Sequence, residues 1–382
     1  MKIALRDILL GCFFLFFDFG VIITTSQLGD VESRLFIQRM LIIFSAVPLA
    51  FNYALGQKIT LREGFCIIFF SVLSVIAFIV TQSFNILKLS LFILAVKGVS
   101  LRKVIFLNSI ALFISMLLVM GSSIFGITDV FYREMADKFD LTWTTYVFGF
   151  INPNTPPTII FSILTGYNII YRHHLTIKVI FFEILISLLV FFLYSSRTGL
   201  FIIMGNSFLL LCYKLFPRWL IFKYLVKPLQ YSFFFFTILS IWIIYNYNNL
   251  DENWRILDIL LSNRLYLWKE FANLYGIFPL GINISNNDMP IDNGYIFILV
   301  YYGYIILAIY NLAFFYVSRY SYHQHEWVLL ITMVSYSAYG FFETGILSFG
   351  LCNILLIFAI LIMNRNKHKF ISFNEESEVY HG

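Results

Sequence analysis

Residues 246–302 read NYNNLDENWRILDILLSNRLYLWKEFANLYGIFPLGINISNNDMPIDNGYIFILVYY, the longest polar interruption between two apolar stretches of the chain. Elsewhere apolar segments follow one another through short loops. Here the chain gathers charges, two tryptophans, a Pro-x-Gly turn and Asp292-Asn293-Gly294-Tyr295 before the next apolar run begins.

Composition around this stretch sets the fold class. Of 382 residues, 60% are hydrophobic, 20% aromatic and 12% charged, with a mean hydropathy of +0.83. A soluble domain carries about 25% charged residues, so lipid is the expected main solvent. Crossing roughly 30 Å of hydrocarbon takes about 20 apolar residues, and about 12 such spans match the hydrophobic share. The apolar runs are continuous rather than alternating, which selects helices over barrel strands. The expectation is an all-α, polytopic integral membrane protein with residues 1–382 as a single membrane domain. Residues 247–293 form its large extracytoplasmic loop, and 364–382 a disordered cytoplasmic tail. The four cysteines (Cys12, Cys66, Cys212, Cys352) lie in apolar runs without metal-ligand spacing and read as filler. Leu9-Leu10-Gly11-Cys12 loosely resembles a lipoprotein cleavage box. The apolar run continues past it through Asp18, so an uncleaved first helix is expected.

Charge distribution sets the orientation. Every second loop is basic, and those loops hold about two thirds of the Lys and Arg residues, which by the positive-inside rule puts both termini in the cytoplasm and the long loop outside. All six histidines (His173, His174, His323, His325, His368, His381) then fall in cytoplasmic segments. An external active site would have no histidine, so its base would be a carboxylate and a histidine zinc site is excluded. Asp18, Arg39, Glu183 and Glu343 lie within expected spans, where such residues pair or line polar cavities; an Asp18–Arg39 pair is one expectation.

Within the long loop, apolar residues recur every three or four positions from Trp254 to Tyr275. Asp251 as N-cap and Gly276 as stop predict one amphipathic helix at the membrane interface. Its polar face carries Arg255, Asp258, Arg264, Lys269 and Glu270, either solvating the helix or, for Arg264 near the apolar seam, pointing inward. Arg197 sits at the turn before another span, flanked by Ser195, Ser196, Thr198 and Gly199. It suits either snorkelling to headgroups or clamping a phosphate, whose oxygens match the guanidinium fork. In Gly149-Phe150-Ile151-Asn152-Pro153-Asn154-Thr155-Pro156-Pro157 the prolines forbid helix, Thr155 is the expected N-cap and Pro156 the first turn of the next span. Asp292 and Asn293 precede a span as caps, as a base with a sugar-orienting amide, or as both. A P-loop, a dinucleotide fingerprint and an Asp-x-Asp pair are absent, so neither a nucleotide-sugar donor nor nucleic acid is expected.

Together these stretches resemble the Wzy-type polymerases of capsule, exopolysaccharide and O-antigen repeat units, relatives of the O-antigen ligases. The resemblance rests on Gly-Phe-x-Asn-Pro-Asn (149–154), Ser-Arg-Thr-Gly (196–199), Asn-Arg-x-x-x-Trp (263–268), Pro-Leu-Gly-Ile (279–282) and Asp-Asn-Gly-Tyr (292–295), in that order. It implies a GT-C-like membrane glycosyltransferase in the bacterial cytoplasmic membrane. Metal- and cofactor-independent, it would pass a glycan from undecaprenyl diphosphate to an incoming lipid-linked repeat unit, working beside a flippase and a chain-length regulator. Arg197 and Arg264 would hold the diphosphate and Asp292 would be the base; Asn152, Asn154, Asn293, Tyr295 and Trp268 would position substrate. The ligases commonly carry His-Asn where this chain has Asp292-Asn293, which makes Asp292 the natural substitute. The rival readings are a ligase of finished chains, a lipid-linked oligosaccharide flippase and an ion-coupled transporter relying on Asp18, Glu183 and Glu343.

Overall fold

The structure is a computed structural model that describes residues 2–54, 59–128, 132–136, 142–216, 227–284, 291–348 and 350–363. Parts of the acidic 129–140 segment and of the basic 214–227 loop, Asp288, and the 364–382 tail with His368 and His381 lie outside the described residues. The described residues are overwhelmingly helical, with one small antiparallel hairpin among them, β1 (Tyr132–Ala136) and β2 (Thr142–Tyr146). Five helices among the described residues are long and apolar enough to cross a membrane. They are Val31–Asn52, Leu61–Thr81, Leu101–Ile124, Ile177–Tyr194 and Arg197–Leu215, and shorter apolar helices run Ser232–Asn246, Trp327–Phe342 and Asn353–Met363.

Two compact units divide the chain. The first comprises residues 1–72, 88–201 and 349–382. It holds α1 (Lys2–Ile23), α2 (Val31–Ala54), the start of α3 (Leu61–Thr81), most of α4 (Phe84–Ala95), α5 (Leu101–Ile124), α6 (Thr155–Ile170), α7 (Ile177–Tyr194), the opening of α8 (Arg197–Leu215) and, last in the chain, α15 (Asn353–Met363). Local chemistry explains where these helices begin. Asp30 accepts from Ser33 N (2.8 Å), Thr60 and Glu63 bond reciprocally as a capping box, and Ser100 and Thr176 cap α5 and α7 through their hydroxyls. α6 departs from expectation by one residue, because its N-cap is Asn154 and Thr155 is already helical ahead of Pro156. The unit packs around Ile22, Leu112, Met116, Val119, Phe150, Ile159 and Leu351. Asp18 is fully buried and its carboxylate oxygens meet no hydrogen-bond donor among the described residues. The cation whose charge reaches it is Lys88 rather than the expected Arg39, because Lys88 is itself buried in this unit, over the Phe17 ring.

The second unit comprises residues 73–87 and 202–348. Its centre is α9 (Ser232–Asn246), against which α14 (Trp327–Phe342) packs, with α11 (Arg264–Tyr275), the one-turn α12 (Gly294–Phe297) and α13 (Tyr304–His323) alongside. Buried aromatic rings fill the space between them: Phe233 lies 4.0 Å from Phe314 and 4.7 Å from Tyr295, and Trp268 meets Phe341 edge-on at 5.2 Å.

Two expected continuous helices are broken here. The loop helix divides into α10 (Glu252–Leu260) and α11, because Ser262 and Asn263 take left-handed backbone angles (φ 61° and 60°). The expected cap and stop hold: Asp251 accepts from Asn253 N and Trp254 N, and Gly276 ends α11 at φ 72°. Buried Asp258, expected on a solvated face, builds the elbow. Its Oδ1 accepts from Leu265 N (2.8 Å) and Tyr266 N (3.3 Å), and its Oδ2 from the Tyr247 hydroxyl (3.1 Å). Asp258→Ala strands two amide donors and a phenol in a buried setting and is expected to cost about 1–3 kcal/mol. A lower melting temperature with faster proteolysis inside 247–284 is the expected signature, and an unchanged cleavage pattern would rule the elbow out as the organiser of the loop.

The expected span from 294 is likewise discontinuous. α12 runs into a π-helical turn, Ile298–Tyr302, and stops at Gly303 (φ 89°) before α13 restarts. Pro279-Leu280-Gly281 fills the gap. Tyr304 N donates to Phe278 O (3.2 Å), Ile305 N to Pro279 O (3.1 Å), and Ile282 N to Tyr301 O (3.3 Å). The loop thereby satisfies helix-end groups that would otherwise lack partners.

Candidate functional site

The elbow at Asp258 delivers Arg264 as the first residue of α11, whose Leu265, Trp268, Phe271 and Ala272 are buried. The half-buried Arg264 guanidinium has three neighbours in this unit. Its Nε lies 3.2 Å from Asp292 Oδ2, one terminal nitrogen donates to Phe342 O (2.9 Å), and the other lies 3.8 Å from Glu343 Oε1. Three segments remote in sequence therefore meet on one cation. Asp292 stays partly open, with 32% of its side chain exposed against 7% for Glu343.

The cap at Asn293 holds Asp292 in place. Asn293 is fully buried, its Oδ1 accepts from Tyr295 N and Ile296 N at 3.0 Å each, and its Nδ2 donates to Ser240 Oγ at 3.0 Å. Tyr295 is buried too, and its hydroxyl donates to Ser337 O (2.8 Å). Gly294 lies close to α14: a Cβ there would meet Leu347 at 2.9 Å and Gly340 O at 3.0 Å. Asn293 and Tyr295 thus spend polar atoms inside the protein, and Trp268 is 1% exposed. In this arrangement Asn293 and Tyr295 anchor the segment that presents Asp292, and Trp268, against Phe341, anchors the helix that carries Arg264.

Glu343, expected within an apolar span, is the C-cap of α14, in extended backbone ahead of a short 3-10 turn, Gly345–Leu347. Burial and the neighbouring Asp292 carboxylate push its carboxyl up to about 8, against the opposing pull of Arg264.

No family model, curated protein or solved structure matches the chain.

The remaining expected site residues belong to the first unit. Arg197 is exposed and is the first residue of α8, and Ser196 Oγ accepts from Gly199 N (3.2 Å) just ahead of it. Gly199 lies against Pro157: a Cβ would stand 2.7 Å from the proline's. The Ser-Arg-Thr-Gly and Gly-Phe-x-Asn-Pro-Asn stretches are therefore neighbours, with the starts of α6 and α8 side by side. Exposed Asn152 accepts from Asn154 N (2.9 Å), and the segment is fixed to the 25–27 turn by Gln27 N to Gly149 O (2.7 Å) and Ile151 N to Thr25 O (2.8 Å). Sequence reasoning brought out Arg264 and Asp292 but neither the buried role of Asp258 nor the placement of Glu343. The polar step from Phe342 to Glu343-Thr344-Gly345 is the signal that could have placed Glu343 at a helix end.

Proposed function

We propose that this chain is a membrane glycosyltransferase that polymerises oligosaccharide repeat units carried on undecaprenyl diphosphate, at the outer face of a bacterial cytoplasmic membrane. The observation that carries this reading is the pairing of Arg264 with a partly exposed Asp292, brought from two of the sequence motifs at 3.2 Å. In the proposed step the acceptor hydroxyl oxygen bonds to the anomeric carbon and its proton passes to Asp292. The carbon–oxygen bond to the diphosphate breaks, and the electron pair leaves with the phosphate oxygen. Direct attack inverts the anomeric centre. Arg264 orients Asp292, and its unspent N–H donors are available to the charge that develops on the leaving diphosphate. The positive-inside pattern supports an external site with both termini inside.

The test is an assay on the purified chain with undecaprenyl diphosphate-linked repeat units in the presence of EDTA. A product ladder spaced by one repeat unit supports the proposal; a single transfer to another acceptor favours a ligase, and no transfer from folded protein overturns the reading. In the same assay Arg197→Lys is expected to lower turnover about tenfold or more although charge is kept, because lysine lacks the planar fork. Normal polymer from the lysine variant would remove Arg197 as a phosphate contact.

A further inference from the structure

We propose that Glu343 is the positioning residue of this site and works in its uncharged form, steering Arg264 onto Asp292 without competing for its charge. The proposal rests on the transferase reading and gives the same site a pH limit.

The geometry is asymmetric in the required sense. Arg264 stands 3.2 Å from Asp292 but 3.8 Å from Glu343, and the terminal nitrogen on its remaining side is held by Phe342 O at 2.9 Å. Phe342 and Glu343 are consecutive, so the end of α14 forms a cradle for both terminal nitrogens while Nε is left to Asp292. Among the described residues, the charged groups facing Glu343 are Arg264 on α11 and Asp292 ahead of α12.

Charge counting explains why the neutral form suits the chemistry. With Glu343 protonated, one guanidinium balances one carboxylate, and Asp292 keeps the charge a base requires. With both carboxylates ionised the cluster carries a net negative charge in a partly buried place, which opposes the approach of a diphosphate and draws the guanidinium away from Asp292. Burial beside Asp292 favours the proton staying on Glu343 at neutral pH, with release at about 8. Transfer is therefore present below that value and falls as pH rises through it.

The test uses purified full-length protein and two readouts. Without substrate, infrared difference spectra titrated from about pH 6 to about pH 10 are expected to show a carboxylic-acid carbonyl band that survives neutral pH, fades on the alkaline side and is missing in Glu343→Gln. In the transfer assay, Glu343→Ala is expected to lower turnover about 10- to 100-fold through misplacement of Arg264. Glu343→Gln restores most of that loss, because a carbonyl oxygen of the same reach still faces the Arg264 terminal nitrogen, and removes the alkaline fall. Absence of the Glu343 band at neutral pH overturns this inference and leaves the transferase reading standing. A glutamine variant as impaired as alanine, or one that keeps the alkaline fall, overturns it as well. A wild type that shows the band but transfers nothing overturns the transferase reading, and the positioning role with it.

Discussion

Asp292→Asn is expected to lower the initial rate of repeat-unit addition by about 10²–10⁴-fold, the usual contribution of a general base. The substitution is isosteric and the amide oxygen still accepts from Arg264, so the 3.2 Å contact and the capped start of α12 persist. What disappears is the proton acceptor and its negative charge. Asp251→Asn is the matching control on the same loop: asparagine caps a helix about as well as aspartate, and the exposed start of α10 asks no more of it. A rate within threefold of wild type for the Asp292 variant, with the Asp251 variant indistinguishable from it, would remove Asp292 from the mechanism.

Gly303→Ala is expected to be among the most damaging single-methyl changes in the second unit, at about 3 kcal/mol or more. A Cβ at Gly303 would stand 2.4 Å from both Gly281 N and Pro279 O, on a backbone at φ 89° that disfavours any L side chain. Gly281→Ala meets the same obstacle from the other side, since its Cβ would fall 2.0 Å from Tyr301 O. Neither contact can relax by rotating a side chain, because backbone faces backbone. Gly345→Ala is the control: it is exposed and a Cβ there meets nothing within 4 Å. The measurement is the melting temperature in detergent together with the fraction of protein that stays monodisperse. Equal melting for the Gly303 and Gly345 variants would show that the Pro279–Gly281 plug does not hold the broken helix together.

These two cases mark what could be seen in the amino-acid sequence. Helix ends set by local chemistry were legible: the prolines at 156 and 157, the Asp251 cap, the Gly276 stop, the apolar run of α7. The elbow at 261–263 was hidden because Leu257, Leu261 and Leu265 carry the helical period straight across it. What breaks the helix is Asp258 accepting from amides seven and eight residues on, a pattern that a hydrophobic stripe does not report. The gap at Gly303 was hidden for a related reason. Glycine inside an apolar run is ordinary in membrane helices, and only the docking of residues 279–281, far away in sequence, turns it into a break. Arg264 and Asp292 stood out as charges beside apolar seams, whereas Glu343 was absorbed into an apolar window and read as mid-span. Their convergence on one guanidinium depends on three chain segments and has no local signature.

The division at Gly303 also constrains how the protein is made. Residues 294–302 as a helix are about 13 Å long at 1.5 Å per residue, too short to be taken into the bilayer alone as a span. They depend on α13 following from the ribosome, and α13 in turn restarts on carbonyls supplied by Phe278 and Pro279, which were synthesised earlier. The 276–284 segment must therefore wait, undocked, until the next helix arrives, and Asp292 and Arg264 meet Glu343 only after α14 has been translated. Assembly of the Arg264–Asp292–Glu343 cluster is thus a late event in synthesis, and a chain ended before residue 343 lacks its last member.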